Sequence, residues 1–236
     1  MKKSMFAKVF RWGGFSVVIL AAVVSVFAFQ THASAPAFIV LDAAKTAAGN
    51  AASRQIPPGW ELKVNSGHPD ISFVDTGDHD AAIRLRSVKS SYALERAVDI
   101  DPARMPYLAW RWKVSQLPRG GDFRHSSTDD QAAQVLVAFS DRRILTYLWD
   151  STAPQGTMES ASSIPLVHIF AIVCRSGGAD INQWLREDRN IEADYQKAFG
   201  KPAPHVKGLR LQINSQHTGS SAESYFGEMA FQTTQS

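Results

Sequence analysis

The sequence contains a single cysteine, Cys174, among its 236 residues. One thiol excludes an intramolecular disulfide and a zinc site built from cysteines. Cys174 follows the apolar run 167–173, a setting in which a cysteine usually packs as a small hydrophobe. A nucleophilic thiol needs a nearby base, and His168 is six residues away, about 20 Å along an extended strand. We therefore expect Cys174 to be buried and inert, and His168 to be an interior histidine.

Several motifs of enzyme active sites are also missing. The seven histidines show no HExxH or similar metal-ligand spacing, and no serine lies in a G-x-S-x-G turn. The glycine pairs 120–121 and 177–178 lie in polar loops and lack the context of a phosphate-binding loop. We expect no metal site, no cofactor and no nucleotide-dependent reaction.

Basic residues are not clustered beyond the amino terminus. The net charge of +3 includes four cations and no anion in the first eleven residues: Lys2, Lys3, Lys8 and Arg11. The rest of the chain has 21 basic and 22 acidic residues, a net charge of −1. Binding to a phosphate backbone needs a clustered basic surface, so we expect no nucleic acid as a partner.

The amino terminus has the pattern of a secretory signal peptide. Its cations precede an apolar run at 15–29 in which the most polar residues are two serines. These 15 residues are fewer than the roughly 20 that cross a bilayer as a helix. Small residues favour cleavage after Ala33, which leaves residues 34–236 as one exported domain, periplasmic or extracellular, without a stable membrane anchor. An uncleaved, tilted anchor lengthened by Trp12 and Gly13 is the alternative.

The rest of the sequence predicts β-strands. Turn residues recur about every ten positions, and the segments between them often alternate apolar and polar residues. In the segment 108–114, Trp110 and Trp112 fall on one face, which predicts the core, while Arg111 and Lys113 fall on the other. The ten other predicted strands are 38–41, 60–64, 71–75, 82–86, 92–98, 132–139, 144–149, 166–173, 209–213 and 225–231. So many strands need two packed sheets, which predicts an all-β, antiparallel sandwich or barrel.

Two local features refine this fold class. The short polar connection 140–143 predicts that the strands on either side of it pair as a hairpin. Apolar residues at helical spacing predict one short helix at 190–199, with Asn190 or Asp188 as its N-cap and Gly200 just past its end.

Several motifs, each weak alone, form a specific combination. They are Trp110-Arg111-Trp112-Lys113-Val114 with Leu117-Pro118, Asp129-Asp130, Tyr147-Leu148-Trp149, Arg189-Asn190-Ile191, Asp194-Tyr195, Phe199-Gly200, and Tyr225-Phe226-Gly227-Glu228 with Phe231. Over residues 60–231 the chain resembles the bacterial family of domain of unknown function 3047 (DUF3047). The resemblance implies an exported, jelly-roll-like β-sandwich, similar in outline to carbohydrate-binding modules, and supplies no catalytic residues. Where the family is expected to have an aspartate-containing turn, residues 214–218 have no carboxylate, which speaks against a calcium site.

Asp129 and Asp130 stand at the entry to the strand 132–139. Neighbours on an extended chain point to opposite sides, so these two carboxylates do not form one acid/base pair. Either one caps the turn and the other pairs with a cation such as Arg111, or one faces a ligand beside the strand 144–149. A glycosidase needs a second carboxylate within about 5–10 Å, for which the candidates are Asp150, Glu223 and Glu228.

Tyr147 and Trp149 lie two residues apart, on one face of their strand. Aromatic rings with a polar edge can stack on a sugar and hydrogen-bond its hydroxyls. Aromatic residues of sandwich strands also form cores. A sugar-binding platform and core packing are therefore the two alternatives for this pair.

These observations predict a non-catalytic, carbohydrate-binding-like module whose partner is a glycan or another component of the cell envelope. The predicted ligand-binding residues are Arg111, Asp130, Tyr147, Trp149 and Arg210. In this hypothesis the aromatic rings stack on the ligand, the arginines donate hydrogen bonds and the aspartate accepts them. The sequence does not indicate the oligomeric state.

Two other functions remain open at this point. One is a polysaccharide hydrolase or lyase on the same scaffold, with Asp129 or Asp130 and Tyr147 or His168 as acid and base. The other is an envelope module that binds a protein.

Overall fold

Thirteen strands and a nine-residue helix form most of the chain in a computed structural model that describes residues 37–44, 56–77, 80–161 and 167–235. The predicted signal peptide, residues 1–33, lies outside the described residues. The elements are β1 (Ala37–Leu41), β2 (Glu61–Ser66), β3 (Asp70–Gly77), β4 (Asp80–Val88), β5 (Ser91–Ile100), β6 (Tyr107–Gln116), β7 (Ala133–Phe139), β8 (Arg143–Asp150), β9 (Met158–Ser160), β10 (His168–Ser176), β11 (Leu185–Asn190), α1 (Ile191–Phe199), β12 (Val206–Asn214) and β13 (Ser221–Gln232). Each of the eleven predicted strands overlaps one of these.

The strands form two packed sheets. The first has the order β11-β6-β13-β4-β3, with β1 also paired to β13, and the second has the order β2-β5-β12-β7-β8-β10-β9. Neighbours are antiparallel except for β8 and β10, which are parallel and are joined by the long connection that contains β9. β7 and β8 form the predicted hairpin, with Ala138 opposite Ile144. The fold is a jelly-roll-like β-sandwich, as predicted.

Four aromatic side chains from the two sheets fill the middle of the core. Trp110 and Trp112 are fully buried, with their ring centroids 5.4 Å apart. Trp110 lies 5.2 Å from Tyr147, and Trp112 lies 5.9 Å from Trp149, so β6 of the first sheet packs on β8 of the second. The prediction that both β6 tryptophans face the core is confirmed.

The strand pattern missed β9 and β11. β9 has only three residues, and β11 reads Leu-Arg-Glu-Asp-Arg-Asn, with one apolar side chain. β11 is an edge strand whose charges join the two sheets: Glu187 accepts hydrogen bonds from Trp112 of the first sheet (3.2 Å) and Arg175 of the second (2.7 Å). Hydrophobic periodicity cannot detect a strand that is held by hydrogen bonds and ion pairs at an edge.

The helix α1 lies where the sequence places it. Asn190 is its N-cap and accepts a hydrogen bond from the Ala193 N–H at 2.9 Å, while Gly200 ends it in the left-handed conformation at φ 71°. Tyr195 packs on Phe139 of β7, with their ring centroids 4.5 Å apart. Among the described residues, no helix is long and apolar enough to cross a membrane.

Candidate functional site

The structure does not bring the five predicted ligand-binding residues together. Arg111 lies on the outer face of the first sheet, and Arg210 lies on the outer face of the second. Tyr147 and Trp149 are between the sheets, and Asp130 is buried in the loop before β7. These residues cannot form one binding surface, and the predicted site is corrected on that point.

Tyr147 and Trp149 do not form an aromatic platform. Both side chains are fully buried, because β8 directs its odd-numbered residues into the sandwich core. The Tyr147 hydroxyl donates a hydrogen bond to Asp194 at 2.9 Å, and the Trp149 indole N–H donates to the Gly177 carbonyl at 3.2 Å. Of the two alternatives for this pair, core packing describes the structure.

Asp130 caps a turn. Its carboxylate accepts hydrogen bonds from the backbone N–H groups of His217 (3.3 Å) and Thr218 (2.6 Å). Arg111 forms an ion pair with Asp80, not with either aspartate of the 129–130 pair. The capping interpretation therefore fits Asp130, and the suggested ion pair with Arg111 is wrong.

Other candidates for acid/base chemistry are also dispersed. Asp150 is buried and accepts three backbone N–H groups, Glu223 pairs with Arg84 on the first sheet, and Glu228 is exposed. His168 is exposed at the start of β10, so the prediction of an interior histidine is wrong.

Cys174 is a free cysteine that packs in the core, as expected. Burial raises the pKa of its thiol well above the ordinary value, which keeps it protonated at neutral pH.

The second sheet carries a groove on its outer face. Two cavities of about 570 and about 350 Å³ lie along it and share the lining residues Leu136, Ile169 and Arg210. The two cavities therefore adjoin, and we call the pair of them the groove.

Cross-strand register explains the chemistry of this face. One row of directly paired residues crosses the whole sheet: Glu61, Glu95, Arg210, Leu136, Thr146, Ala171 and Glu159. The row begins with charged residues on β2, β5 and β12 and becomes aliphatic on β7. Thr146 on β8 is the polar residue in the aliphatic part.

More than half of the residues that line the smaller cavity are polar. They are Asn65, Asp129, Gln131, Gln134, Thr146, Arg210, Gln212 and Asn214. Asn214 organises this set, because its side-chain oxygen accepts hydrogen bonds from the Gln131 N–H (2.9 Å) and the Gln134 amide (2.7 Å). Its own amide donates to the Asp129 carbonyl at 2.6 Å. The amide side chains are therefore held in place before any ligand arrives.

Thr146 lies in this cavity with its hydroxyl unsatisfied. The residue is 4% exposed, and among the described residues its Oγ1 has no hydrogen-bond partner. A buried hydroxyl without a partner costs about 1–3 kcal/mol. Because the Oγ1 atom has almost no accessible surface, a ligand hydroxyl would remove this cost only after the Thr146 side chain rotates toward the cavity.

Asp129 supplies the carboxyl group of the smaller cavity. Burial raises its pKa, while a hydrogen bond from the Gln131 amide at 3.2 Å and the nearby His217 act to lower it. The net shift is upward, so Asp129 holds a proton at a higher pH than an ordinary aspartate.

The loop 117–132 forms one wall of the smaller cavity through Phe123 and Asp129. Asp150 fixes this loop, since its carboxylate accepts the Phe123 N–H at 3.1 Å. Gly121 lets the loop fold tightly, because a Cβ atom there would lie 2.2 Å from the Asp130 carbonyl oxygen. The wall is thus built by specific contacts.

The larger cavity has an aliphatic floor and a charged rim. At the rim, Lys63 pairs with Glu61 at 3.0 Å, and Arg210 pairs with Glu95. Among the described residues, none that lines this cavity is aromatic.

Thr146 and Gln134 were not predicted as site residues. Strand alternation could have indicated that both side chains lie on the outer face of the second sheet. Residues 134, 136 and 138 of β7 alternate with core residues, and so do residues 144, 146 and 148 of β8. Apart from these two residues, however, both segments are largely apolar on both faces, so the sequence does not show which face lines the groove.

The described residues contain no group of three or more His, Cys, Asp or Glu side chains arranged to hold a metal ion. The turn 214–218, considered as a calcium site, is instead held by the Asp130 carboxylate.

The fold and this site define a jelly-roll-like β-sandwich with a groove on one outer face. The chain belongs to the family described as protein of unknown function (DUF3047), which matches residues 59–230. No curated protein matches the sequence.

Several solved structures have a similar fold. The xyloglucanase domain of NopAA, a type three effector from Sinorhizobium fredii solved with cellobiose, has a TM-score of 0.46 at 8% identity, over 87% of this chain and 98% of that one. The family 11 carbohydrate-binding module of the cellulase Lic26A-Cel5E of Clostridium thermocellum has a TM-score of 0.42 at 7% identity, over 86% and 97%. Endoglucanase cel12A from Rhodothermus marinus has a TM-score of 0.46 at 10% identity, over 76% and 95%. At these identities the likeness concerns the fold alone.

Proposed function

We propose that residues 34–236 form an exported, non-catalytic module that binds a glycan in the groove. The observation that carries this proposal is the buried hydroxyl of Thr146, which has no partner among the described residues, at a cavity lined by amides. A polyhydroxylated ligand both donates and accepts hydrogen bonds, so it matches such a surface. The cationic and apolar pattern of residues 1–33 supports export.

Three neighbouring side chains present complementary groups to a sugar. Gln134 and Gln212 are directly paired across β7 and β12, and Thr146 lies diagonally from Gln134 on β8. Gln134 donates to Asn214, and its carbonyl oxygen accepts no hydrogen bond from the described residues. Gln212 accepts from Arg210 at 3.2 Å, and its amide N–H groups donate to none of the residues that the structure describes. The site therefore offers an acceptor, a donor and a hydroxyl on three adjacent strands, with neighbouring residues about 5–8 Å apart.

The arrangement of carboxylates favours binding over catalysis. A glycosidase needs two carboxyl groups that face one glycosidic bond. Glu95 pairs with Arg210, and Glu61 pairs with Lys63 at 3.0 Å. Asp129 lies in the other cavity, beyond the aliphatic centre of the groove.

A glycan array and calorimetry on the secreted form test the proposal. Thr146→Val preserves the side-chain shape and removes the hydroxyl, so binding to any glycan found on the array should weaken at least about fivefold, the loss of one hydrogen bond of about 1 kcal/mol. Ser224→Ala is the matched control, because it removes a buried, unpartnered hydroxyl on the first sheet, outside the groove. A parent protein that binds no glycan, or equal binding by both variants, would contradict the proposal.

One observation favours a second function, a polysaccharide hydrolase. The raised pKa of Asp129 suits a proton donor to a glycosidic oxygen. Release of reducing ends from a bound glycan, lost in Asp129→Asn while binding persists, would establish this reaction. A glycan that is bound and stays intact for many hours supports the binding module.

A further inference from the structure

An unbroken aliphatic row lies in the larger cavity. Ala97, Gly208, Ala138, Ile144 and Ile169 are paired in register across the five adjacent strands β5, β12, β7, β8 and β10. At about 4.8 Å between strands, the row is about 19 Å long. All five residues line the larger cavity.

This floor does not suit a sugar ring. Sugars bind through hydrogen bonds and through stacking on flat aromatic rings. The row provides neither, since four of its residues have aliphatic side chains and Gly208 has none. An aliphatic chain, in contrast, gains free energy from each methylene group that it buries there.

We propose that the ligand of the groove is an acylated glycan, with its sugar in the smaller cavity and its alkyl chain on the aliphatic row. This inference rests on the proposed glycan-binding function. The two cavities share Leu136, Ile169 and Arg210, so one molecule can occupy both.

Arg210 marks the junction between the two parts of the ligand. Its guanidinium donates hydrogen bonds to Glu95 and to Gln212 and has five N–H groups in total. A remaining N–H can donate to the ester or glycosidic oxygen that links the sugar to the chain. The polar oxygen between the sugar and the alkyl chain would therefore lie next to Arg210, where the two cavities meet.

The test uses hexyl, octyl and decyl β-maltosides as probes, each below its micelle concentration, with calorimetry on the secreted form. Affinity should rise up to about fourfold for each added methylene group, as expected for burial of an alkyl chain. Ala138→Phe fills the larger cavity from its floor and should abolish this dependence on chain length. Ile144→Gln, also outside the main core and in the larger cavity only, is a second variant with the same expected result. Ser72→Phe, on the outer face of the first sheet, is the control and should leave the dependence unchanged.

Affinities that do not change with chain length overturn the inference, as does a chain-length dependence that persists in Ala138→Phe and Ile144→Gln. The glycan array tests the parent proposal separately, because it uses sugars without alkyl chains. If Thr146→Val weakens glycan binding but affinity does not depend on chain length, the glycan-binding proposal stands and the proposal of an acyl chain is wrong.

Discussion

The Tyr147 hydroxyl donates a hydrogen bond to Asp194 at 2.9 Å, in the interior of the sandwich. The same carboxylate accepts two hydrogen bonds from Arg189, at 3.0 and 2.6 Å. Tyr147 belongs to the second sheet, Arg189 to β11 of the first, and Asp194 to α1. This cluster joins three elements and gives Tyr147 a structural role.

Tyr147→Phe should therefore lower the free energy of unfolding by about 1.5–3 kcal/mol, since it removes a buried hydrogen bond to a charged group. Urea unfolding measures the loss. Tyr225→Phe is the control, because its hydroxyl donates to Glu223 at 2.7 Å on a partly exposed surface, and its loss should be smaller. Weaker glycan binding by folded Tyr147→Phe, at unchanged stability, would return Tyr147 to the binding site.

Trp112→Ala should cost about 3–5 kcal/mol of stability, the usual range for removing a large buried aromatic side chain. The ring is fully buried against Trp110 and Trp149. Its neighbour Lys113 points to the outer face, so Lys113→Ala should change the denaturation midpoint much less. Similar midpoints for the two variants would contradict the assigned strand orientation.

The stability of the groove wall should depend on pH through Asp122. Hydrogen bonds from Arg124, at 2.8 and 2.7 Å, lower the pKa of this carboxyl far below its usual value of 3.8, against the opposing effect of burial. A group with a lowered folded-state pKa stabilises the fold above its unfolded pKa and loses this contribution as the pH falls through the folded value. Asp122→Asn should thus destabilise the protein at pH 7, and the difference from the parent should shrink below about pH 4. A difference that stays constant between pH 7 and pH 3 would show that the ion pair contributes nothing.

The amino terminus of the exported protein should be near Ser34. The apolar run at 15–29 is too short for a stable span, and small residues precede the expected cut. Mass spectrometry of the protein from its native host measures the terminus directly. A form that retains residues 1–33 in the membrane fraction would favour the uncleaved anchor.

Periodicity predicted much of the fold because most strands bury one face. The alternation around Trp110 and Trp112 gave the correct orientation of β6, and the capping residues Asn190 and Gly200 gave the ends of α1. β11 was not predicted because its charged residues form hydrogen bonds and ion pairs at the edge of a sheet. Such contacts leave no periodic signal.

The site was harder to predict, because residues that are close in a sheet come from distant parts of the chain. Thr146, Gln134 and Gln212 meet only through the order β12-β7-β8, which the sequence does not reveal. Tyr147 and Trp149 were predicted as site residues because aromatic rings can bind sugars. The alternation on β8 does not show which of its two faces packs in the core. Of the five predicted residues, only Arg210 lines the groove.

We propose that a glycan binds on the second sheet, next to Thr146. An NMR titration that follows the side-chain amides of Gln134, Gln212 and Asn214, together with the indole of Trp184, measures the location directly. Trp184 is a partly buried aromatic residue beside Lys113 and Tyr225 on the outer face of the first sheet. With a glycan that binds, we expect shifts in the three amides and an unchanged Trp184 signal. Shifts confined to Trp184, with the three amides unaffected, would contradict it.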